Sequence, residues 1–421
     1  MARLLAYLSA SSGNTFPAID MLLELQRRGH EVHLRSRASD VDGYAALGLC
    51  AAAIDPSIEQ VEFDDWRGRS QVDSFMRMVR AYRACANLEI PDLRQAVAEV
   101  DPDALIVDIN CFGAMFVAEA SELPWAVYCP YPPPFRSDDV PPHGLGLRPA
   151  RGPLGKARDL MVRKFGDRQL APELAQFNDL RADLGLPTVE KFDHQFLRSD
   201  LFIAFTAEPY EYHRGDWPSH VRLVGPGLWE PPADPPVWLD EEGRPIVLVT
   251  ASTAFQLDAK LITTTLDALG GEDMAVVVTT AAHDPAKFHV PSNAHVERFL
   301  PHAPILAHAA CVVSHGGQGI TQKALAAGVP LCVVPFSRDQ FDVARRVEHN
   351  DAGVRLHHKR LNPARLRSAV QVAMTKRASA ERIAEAFAHA GGPPAAATAA
   401  EELLTATAGS SRGGQGLAAA G

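Results

Sequence analysis

The chain lacks three features that would each assign it to a large class of proteins. It has no apolar run near the roughly 20 residues of a membrane-spanning helix. Its 41 basic residues are outnumbered by 51 acidic ones, whereas a nucleic-acid-binding surface is usually basic. None of its six cysteines lies in a Cys-x-x-Cys pair, and unpaired cysteines within apolar runs are typical of intracellular proteins. We therefore expect a cytoplasmic protein with no membrane or nucleic-acid partner.

Short apolar runs and longer amphipathic runs alternate along the first half of the 421 residues. This alternation predicts a parallel sheet with helices on both faces. The predicted strands are RLLAYLS, HEVHLRS, CAAAI, ALIVD (104–108) and PWAVYC, and the clearest predicted helices are 17–28 and 111–122. Because right-handed crossovers place the carboxyl ends of parallel strands at one edge, we expect the ligand-binding loops to meet there.

Six prolines between residues 225 and 245 interrupt the alternation, which restarts afterwards. A proline-rich stretch between two α/β patterns predicts a semi-rigid linker. The fold class is therefore α/β, with two Rossmann-like, doubly wound domains and a cleft between them as the default ligand site. The expected units are 1–224, the linker 225–245, 246–390, and a C-terminal helix with a disordered tail over 391–421.

Two less regular stretches lie in the first half, residues 60–90 and 130–155. The first contains SFMRMVRAYRACANL and the second is rich in proline and glycine. Neither pattern is typical of a sheet strand. Adjustable walls of a pocket for a bulky apolar molecule are one interpretation, and surface loops that cover the core are the other.

The stretch 311–356 carries the strongest local signal. A predicted strand ends at His315, two glycines follow, and a predicted helix runs from near Gly319 to Gly328. A helix N-terminus behind a glycine turn offers free N–H groups and the positive end of the helix dipole, so it is suited to bind an anion. His315 is then either a donor to a phosphate oxygen or a structural histidine that caps the turn.

The same stretch resembles the donor-binding signature of nucleotide-sugar glycosyltransferases with the GT-B fold, in the branch that decorates antibiotics and other natural products. The residues that carry the resemblance are His315, Gly316, Gly317, Gly328, Val329, Pro330, Pro335, Asp339, Gln340 and Gly353. It extends to GNTFP near the N-terminus, to VRLVGPGLWEPP at the linker and to IVLVTAS after it. The resemblance therefore covers most of the chain.

The resemblance implies that a nucleotide-sugar donor binds to the second half. The implied donor-binding residues are Ser252, Thr253, Phe299, Leu300, His315, Gly316, Gly317, Gly319, Thr321, Asp339 and Gln340. His315 and the backbone near Gly317 would hold the diphosphate, with Ser252 or Thr253 opposite. Phe299 or Leu300 would lie against the base, while Asp339 and Gln340 would bind the sugar hydroxyls.

Two positions depart from the family pattern. Lys323 replaces a glutamate that often binds the ribose, and Ile320 replaces a phosphate-binding hydroxyl residue, for which Thr321 is a substitute. Lysine accepts no hydrogen bond. Thymidine diphosphate, which lacks the ribose 2′-hydroxyl, is therefore the first expectation for the nucleotide and uridine diphosphate the second. We expect no cofactor and no metal, because the two Asp-x-Asp tripeptides, 40–42 and 101–103, lie away from the donor motif.

In the family, the histidine of Gly-His-x-x-Pro is the general base, and an aspartate at a later strand end orients it. Asp108 stands at that strand end, but Asn14 replaces the histidine. An amide does not titrate near neutral pH. Three hypotheses follow: an acidic acceptor such as a phenol, another base (Asp108 or His143), or a protein that binds without catalysis. Asn14 itself either orients the acceptor or caps the helix at Pro17.

The sequence therefore predicts an inverting, metal-independent glycosyltransferase. It would move a sugar or deoxysugar from a TDP- or UDP-sugar to a hydrophobic acceptor, such as a phenolic or polyketide aglycone in antibiotic biosynthesis. A nucleotide-sugar 2-epimerase and a non-catalytic accessory protein are the alternatives. The oligomeric state stays open, with a homodimer as one option.

Overall fold

The computed structural model describes residues 1–252 and 258–410. In the first half of these residues, seven strands form one parallel sheet. The strands are β1 (Arg3–Tyr7), β2 (Glu31–Ser36), β3 (Cys50–Ala53), β4 (Ala104–Asp108), β5 (Trp125–Cys129), β6 (Leu201–Ala204) and β7 (Val221–Leu223). Their order across the sheet is β3-β2-β1-β4-β5-β6-β7. The strand order reverses between β1 and β4, and open α/β sheets bind ligands at such a switch point.

Helices cover both faces of this sheet. They are α1 (Ser12–Arg27), α2 (Val41–Ala46), α3 (Pro56–Glu59), α4 (Gln71–Val100), α5 (Phe112–Ala120) and α6 (Gly152–Asp183). Alternate residues of β1 enter different cores: Leu5 packs with α4 and α5, whereas Leu4 packs with α1. A strand that is buried on both faces is typical of a parallel sheet, so the predicted fold class is confirmed.

Helix α1 begins five residues before the predicted start at Pro17. The Ser11 carbonyl accepts the N–H groups of Asn14 and Thr15, both at 2.9 Å, and Ser11 is the N-cap. The prediction took Pro17 as the first helical residue, where proline is common. That prediction was wrong, and Asn14 lies in the first turn of α1 and does not cap a helix at Pro17.

Helices α4 and α5 cross closely. A Cβ atom on Gly113 would lie 2.1 Å from the Ala86 carbonyl oxygen, so only glycine fits at the crossing. The Glu89 carboxylate accepts the Gly113 N–H at 2.8 Å at the N-terminus of α5. Burial raises the pKa of Glu89 to about 8. The residues 60–90 that the sequence left irregular are thus mostly helical, and they form part of a tightly packed layer.

The second half of the described chain contains a parallel sheet of six strands. They are β8 (Ile246–Thr250), β9 (Ala275–Thr279), β10 (Ala294–Glu297), β11 (Ala309–Ser314), β12 (Leu331–Val333) and β13 (Gly353–Arg355), in the order β10-β9-β8-β11-β12-β13. The helices are α7 (Ala259–Leu269), α8 (His302–His308), α9 (Gln318–Ala326), α10 (Gln340–His349), α11 (Pro363–Met374), α12 (Arg377–Ala390) and α13 (Gly392–Ser410). The switch point lies between β8 and β11, next to His315.

The last helix, α13, crosses back to the first sheet. Ala396, Ala397 and Ala400 are buried in the same core as α1. Arg28 at the end of α1 binds the Glu401 carboxylate at 2.7 Å. The expected C-terminal helix is α13, which ends at Ser410, and residues 411–421, part of the expected disordered tail, lie outside the described residues. Within the described ranges, every helix is too short or too polar to cross a membrane.

Candidate active site

Asn14 and Asp108 lie close together at the switch point of the first sheet, with Ser9 between them. The Ser9 hydroxyl donates to Asp108 Oδ2 at 2.6 Å, and the Asn14 amide donates to Ser9 Oγ at 3.4 Å. The Tyr128 hydroxyl donates to the backbone carbonyl of Asn14 at 2.7 Å. The amide of Asn14 is therefore linked to Asp108 through a hydroxyl that the sequence reasoning missed. No motif marked Ser9, because its role depends on a contact 99 residues away.

Asp108 is fully buried at the end of β4. Its Oδ1 accepts the backbone N–H and side-chain amide of Asn110 at 2.9 and 2.8 Å, and its Oδ2 accepts the Ser9 N–H at 3.2 Å as well as the hydroxyl. Burial raises the pKa of Asp108, and these hydrogen bonds oppose that rise. A carboxylate held by four protein donors is suited to fix Ser9 and Asn110 in place.

Two tyrosines connect this cluster with the second half of the chain. The Tyr131 hydroxyl donates to Asn110 Oδ1 at 2.9 Å, and Tyr82 projects from α4. Burial raises the pKa of both tyrosines, and the charges of Asp108 and Asp339 act on both. Since electrostatic effects of this kind need proximity, the candidate residues of the two halves lie near each other where the two halves meet.

His143 lies in the loop between β5 and α6, and it pairs with the second half rather than with Asp108. Its Nδ1 lies 3.1 Å from Asp342 Oδ2 on α10. The backbone N–H groups of Gly144 and Gly146 donate to the same carboxylate at 2.6 and 2.7 Å. The proline- and glycine-rich stretch is thus anchored across the cleft, with His143 near Asp339.

His315 follows β11 and lies over the start of α9. A Cβ atom on Gly317 would lie 2.6 Å from His315 Nε2, and Gly316 has a φ of +92°. Both positions therefore require glycine for close packing or for a left-handed backbone. Within the part of the chain that the structure describes, no side chain caps α9, whose N-cap is Gly317. The prediction of a helix N-terminus next to His315 is confirmed.

The electrostatic state of His315 follows from its burial. Burial lowers its pKa, and the Asp258 carboxylate opposes that effect. The ring is therefore neutral near pH 7. Its Nδ1 is buried and has no hydrogen-bond partner among the described residues. Asp258 also accepts the Ser252 N–H at 2.7 Å and lies 2.7 Å from the His283 ring. It therefore connects Ser252 with His283, although sequence reasoning missed it.

Two of the predicted donor-binding residues, Thr321 and Gln340, use a side-chain oxygen for hydrogen bonds within the protein. Thr321 is fully buried and its hydroxyl donates to the Gly317 carbonyl at 2.8 Å. It therefore braces the first turn of α9 and does not offer a phosphate contact. Ser252 is buried, and Thr253 lies outside the described residues. Gln340 Oε1 accepts the N–H groups of residues 336 and 337 at 2.9 and 3.1 Å, so this oxygen stabilises its own loop.

Asp339 precedes α10 and makes no cap hydrogen bond with its side chain. Burial raises its pKa, and the neighbouring His143 and Arg338 charges oppose the rise. A half-buried carboxylate at the cleft is suited to accept hydrogen bonds from sugar hydroxyls. Of the two residues predicted to contact the base of the nucleotide, Phe299 is exposed, and Leu300 packs against the core of the second sheet. Gly319 lies in the first turn of α9 with open space around it.

Lys323 binds a carboxylate from the linker. Its ammonium group donates to Glu230 Oε2 at 2.8 Å, and Glu230 Oε1 accepts the Ala303 N–H at 2.9 Å. Lys323, which departs from the family pattern, is therefore paired with an acidic residue from another segment of the chain. Burial lowers the pKa of the adjacent His302 to about 4, and Lys323 adds to this effect. Sequence reasoning missed Glu230, because its partner Lys323 lies 93 residues further along the chain.

One group of three metal-type ligands occurs in the part of the chain that the structure describes: Glu31, His33 and Cys50. It lies on β2 and β3, at the outer edge of the first sheet. The Glu31 carboxylate already binds the His33 ring at 2.8 Å and the Arg3 side chain at 3.4 Å. This group is not part of the cleft.

Comparison with known proteins places this geometry in a family. A family model described as the C-terminal domain of erythromycin biosynthesis protein CIII-like proteins matches residues 263–404. The chain is 32% identical over 411 residues to the 4'-demethylrebeccamycin synthase of Lentzea aerocolonigenes, which covers 92% of this chain and 96% of that protein.

Two solved structures share the fold. The calicheamicin glycosyltransferase CalG4 has a TM-score of 0.76 at 21% identity, and the match covers 96% of this chain and 98% of that one. The glycosyltransferase SsfS6 of Streptomyces sp. SF2575, complexed with thymidine diphosphate, has a TM-score of 0.66 at 20% identity, with 96% and 100% covered. Together with the sequence match over nearly the whole chain, these likenesses agree with the cleft between two doubly wound sheets. The chain belongs to the natural-product glycosyltransferases of the GT-B fold.

Proposed function

We propose that this glycosyltransferase moves a sugar or deoxysugar from a TDP-sugar to a hydrophobic natural-product acceptor, with inversion at the anomeric carbon. A UDP-sugar is the second choice of donor. The observation that carries the proposal is the N-terminus of α9 behind His315, which no side chain among the described residues caps, together with the Asn14–Ser9–Asp108 cluster at the switch point of the first sheet. One side of the cleft is suited to a diphosphate and the other to an attacking hydroxyl.

In the proposed reaction, the acceptor hydroxyl releases its proton to solvent, and its oxygen forms a bond to the anomeric carbon from the face opposite the diphosphate. The bond between that carbon and the phosphate oxygen breaks, and its electron pair leaves with the diphosphate. The free N–H groups of α9 stabilise the developing negative charge. A neutral His315 still donates one N–H to a phosphate oxygen. The helix and the histidine offset this charge without a metal ion.

Of the two base candidates, Asp108 is fully buried with four hydrogen bonds. His143 binds Asp342 through Nδ1, and no hydrogen bond among the described residues connects it with Asn14, Ser9 or Asp108. Asn14 itself does not titrate. We favour an acceptor whose hydroxyl is acidic enough to need little help, such as a phenol, and His143 is the second choice as the base. One N–H of the Asn14 amide binds Ser9, and the second would hold the attacking oxygen.

The nucleotide preference rests on Lys323 and Glu230. Their charges pair with each other, and Lys323 offers the ribose no hydrogen-bond acceptor. Thymidine diphosphate, which lacks the ribose 2′-hydroxyl, loses less binding energy from this than uridine diphosphate. The related SsfS6 is a thymidine diphosphate complex, which supports the same choice. The half-buried Tyr82, packed on Phe63 with ring centroids 5.2 Å apart, supports an apolar acceptor. We also propose a cytoplasmic location, since all six cysteines are unpaired.

The test is donor turnover with TDP-glucose and UDP-glucose against a panel of phenols and aliphatic alcohols. We expect nucleoside diphosphate release only when an acceptor is present, a preference for phenols, and full activity in a chelator. His315→Ala is the matched inactive control. Interconversion of the sugar without an acceptor would indicate a 2-epimerase, and donor binding without turnover would indicate an accessory protein. A strict need for magnesium or manganese would overturn the metal-free mechanism.

A further inference from the structure

An ion pair crosses the cleft next to the candidate sugar site. Asp65 lies in the short 3-10 turn Asp65–Arg67 ahead of α4, and it is 2% exposed. Arg338 lies between β12 and α10, 273 residues further along the chain. Its Nε and one terminal nitrogen donate to the two Asp65 oxygens at 2.8 and 2.7 Å. Two parallel hydrogen bonds between a guanidinium and a carboxylate define direction as well as distance.

The backbone of Arg338 is unusual. Its φ of +54° is a left-handed conformation that residues other than glycine rarely adopt. Such a conformation persists only where surrounding contacts favour it. Burial opposes the charge of Arg338, but the hydrogen bonds and the charge of Asp65 outweigh it and raise the pKa of the guanidinium. The pair with Asp65 is the contact that offsets the burial of the guanidinium.

Arg338 directly precedes Asp339, the candidate ligand of the sugar, and Gln340, which holds the N–H groups of the same loop. The conformation of Arg338 therefore sets the direction of the Asp339 side chain. Asp65 belongs to the opposite wall, because its turn leads into α4, which carries Tyr82. Tyr82 experiences the charges of both members of the pair. The pair thus connects the acceptor wall with the sugar loop.

We propose that Asp65 and Arg338 form a latch across the cleft that positions Asp339 for the donor sugar. This rests on the proposed function, since it assigns a sugar to the loop at Asp339. Both are positioning residues, because neither needs to touch the reacting atoms. The latch makes binding of the sugar part depend on the acceptor wall, whereas the nucleotide part, held by α9 and His315, does not depend on it.

The first test needs no ligand. Hydrogen–deuterium exchange of the unliganded full chain is compared for the native protein, Asp65→Asn and Asp64→Asn. Asp64 is the matched control, because it pairs with Arg77 on its own side of the cleft. We expect Asp65→Asn to speed exchange at residues 336–342, across the cleft, while Asp64→Asn leaves that segment unchanged. Equal exchange in Asp65→Asn and native protein overturns the latch even if the proposed function fails.

The second test separates sugar from nucleotide. Dissociation constants for TDP and TDP-glucose are measured by calorimetry for the native protein, Asp65→Asn, Arg338→Met and the double variant. We expect Asp65→Asn to weaken TDP-glucose about tenfold or more and TDP less than twofold. Arg338→Met should weaken TDP as well, because the Arg338 charge also acts on His315. The double variant should bind TDP-glucose no more weakly than Arg338→Met alone, because both changes remove the same pair. Additive losses, or an equal loss for TDP and TDP-glucose in Asp65→Asn, would overturn the proposal.

These arms distinguish the two proposals. If native protein binds neither probe, nor UDP and UDP-glucose, the donor assignment fails, and the exchange experiment alone decides the latch. Retained thermal stability identifies variants that still fold. Arg338→Lys keeps the charge without the planar fork, so we expect it to recover only part of the TDP-glucose affinity. Full recovery would show that charge alone suffices and would overturn the orienting role.

Discussion

The two walls of the cleft are built from different parts of the chain. On the donor side, the key features are backbone features: the glycine turn after β11 and the uncapped N-terminus of α9. On the acceptor side, the contacts are made by the side chains of Ser9, Asn14 and Asn110 around the buried Asp108. The donor wall therefore depends on a few glycines, and the acceptor wall depends on a network of polar side chains.

The difference has a physical reason. A diphosphate is common to all donors of this kind and is recognised by N–H groups that every residue carries. Acceptors differ from one another, so their recognition uses side chains, which can change without altering the fold. The matched family model, at residues 263–404, covers most of the donor half and part of α13. The comparison predicts that changes in the side chains around Asp108 leave nucleotide binding at α9 intact.

The largest expected effect is on the pH dependence of folding stability, which should differ between the two halves. Glu89, with a pKa raised to about 8, is protonated in the folded first half, whereas the unfolded chain loses that proton above about pH 4.5. Glu89 therefore contributes stability that is lost as pH rises towards 8. His302, with a pKa lowered to about 4, stays neutral when folded, so its contribution is lost as pH falls below about 6.5.

The measurement is the free energy of unfolding by urea from pH 4 to 9. Each group changes it by a few kcal/mol at most, since one unit of pKa corresponds to about 1.4 kcal/mol. Glu89→Gln should flatten the alkaline limb and His302→Gln the acid limb. If either variant leaves its limb unchanged, the assigned group is not responsible for that pH dependence.

The next largest effect is on the donor wall. His315→Ala should weaken TDP binding by roughly 1.5–3 kcal/mol, because it removes a donor to a phosphate oxygen. Asn14→Ala is the matched control on the opposite wall and should leave TDP affinity unchanged. Calorimetry at constant pH measures both. A loss of TDP affinity in Asn14→Ala would break the separation of the two walls.

Asp108→Asn tests the acceptor wall. The variant replaces one acceptor oxygen by a donor, so the hydrogen bonds from Ser9 or Asn110 are lost. We expect turnover to fall by about tenfold or more, with TDP affinity unchanged. The pH–rate profile distinguishes positioning from base catalysis. If native enzyme prefers aliphatic alcohols and Asp108→Asn abolishes that activity, Asp108 is the base.

The smallest effect is expected for Asn14. Asn14→Ala removes one hydrogen bond to the acceptor and should lower turnover of a phenol about tenfold. Asn14→His should extend the range towards aliphatic alcohols, since an imidazole titrates near neutral pH. Turnover against acceptors of graded pKa measures both variants. An unchanged acceptor range in Asn14→His would show that Ser9, rather than Asp108, is the group that the new ring meets.

Local signals allowed much of the donor half to be predicted. The helix expected from near Gly319 to Gly328 is α9, Gln318–Ala326, and the expected strands are present. By contrast, α6 was missed, although it has 32 residues. Apart from Phe177, its fully or nearly buried residues are charged, and Leu154, Met161 and Phe165 are exposed. No apolar stripe marks this helix, so periodicity gives no signal.

The missed site residues share one property. Ser9, Glu230 and Asp65 act through partners that lie 99, 93 and 273 residues away. Each is an ordinary polar residue in a turn or linker, and no local spacing distinguishes it from solvated neighbours. Their roles follow from the arrangement of the two sheets, which determines the pairs that meet. Motifs that act through their own backbone, such as residues 315–317, need no such knowledge.

The position of α13 matters for anyone who exchanges halves between related enzymes. Because Ala396, Ala397 and Ala400 complete the core beside α1, a cut at the proline-rich linker leaves the first half without one of its own helices. A hybrid that joins residues 1–224 to a foreign second half would meet a foreign α13. Such hybrids should fold better when residues 392–410 come from the same parent as α1.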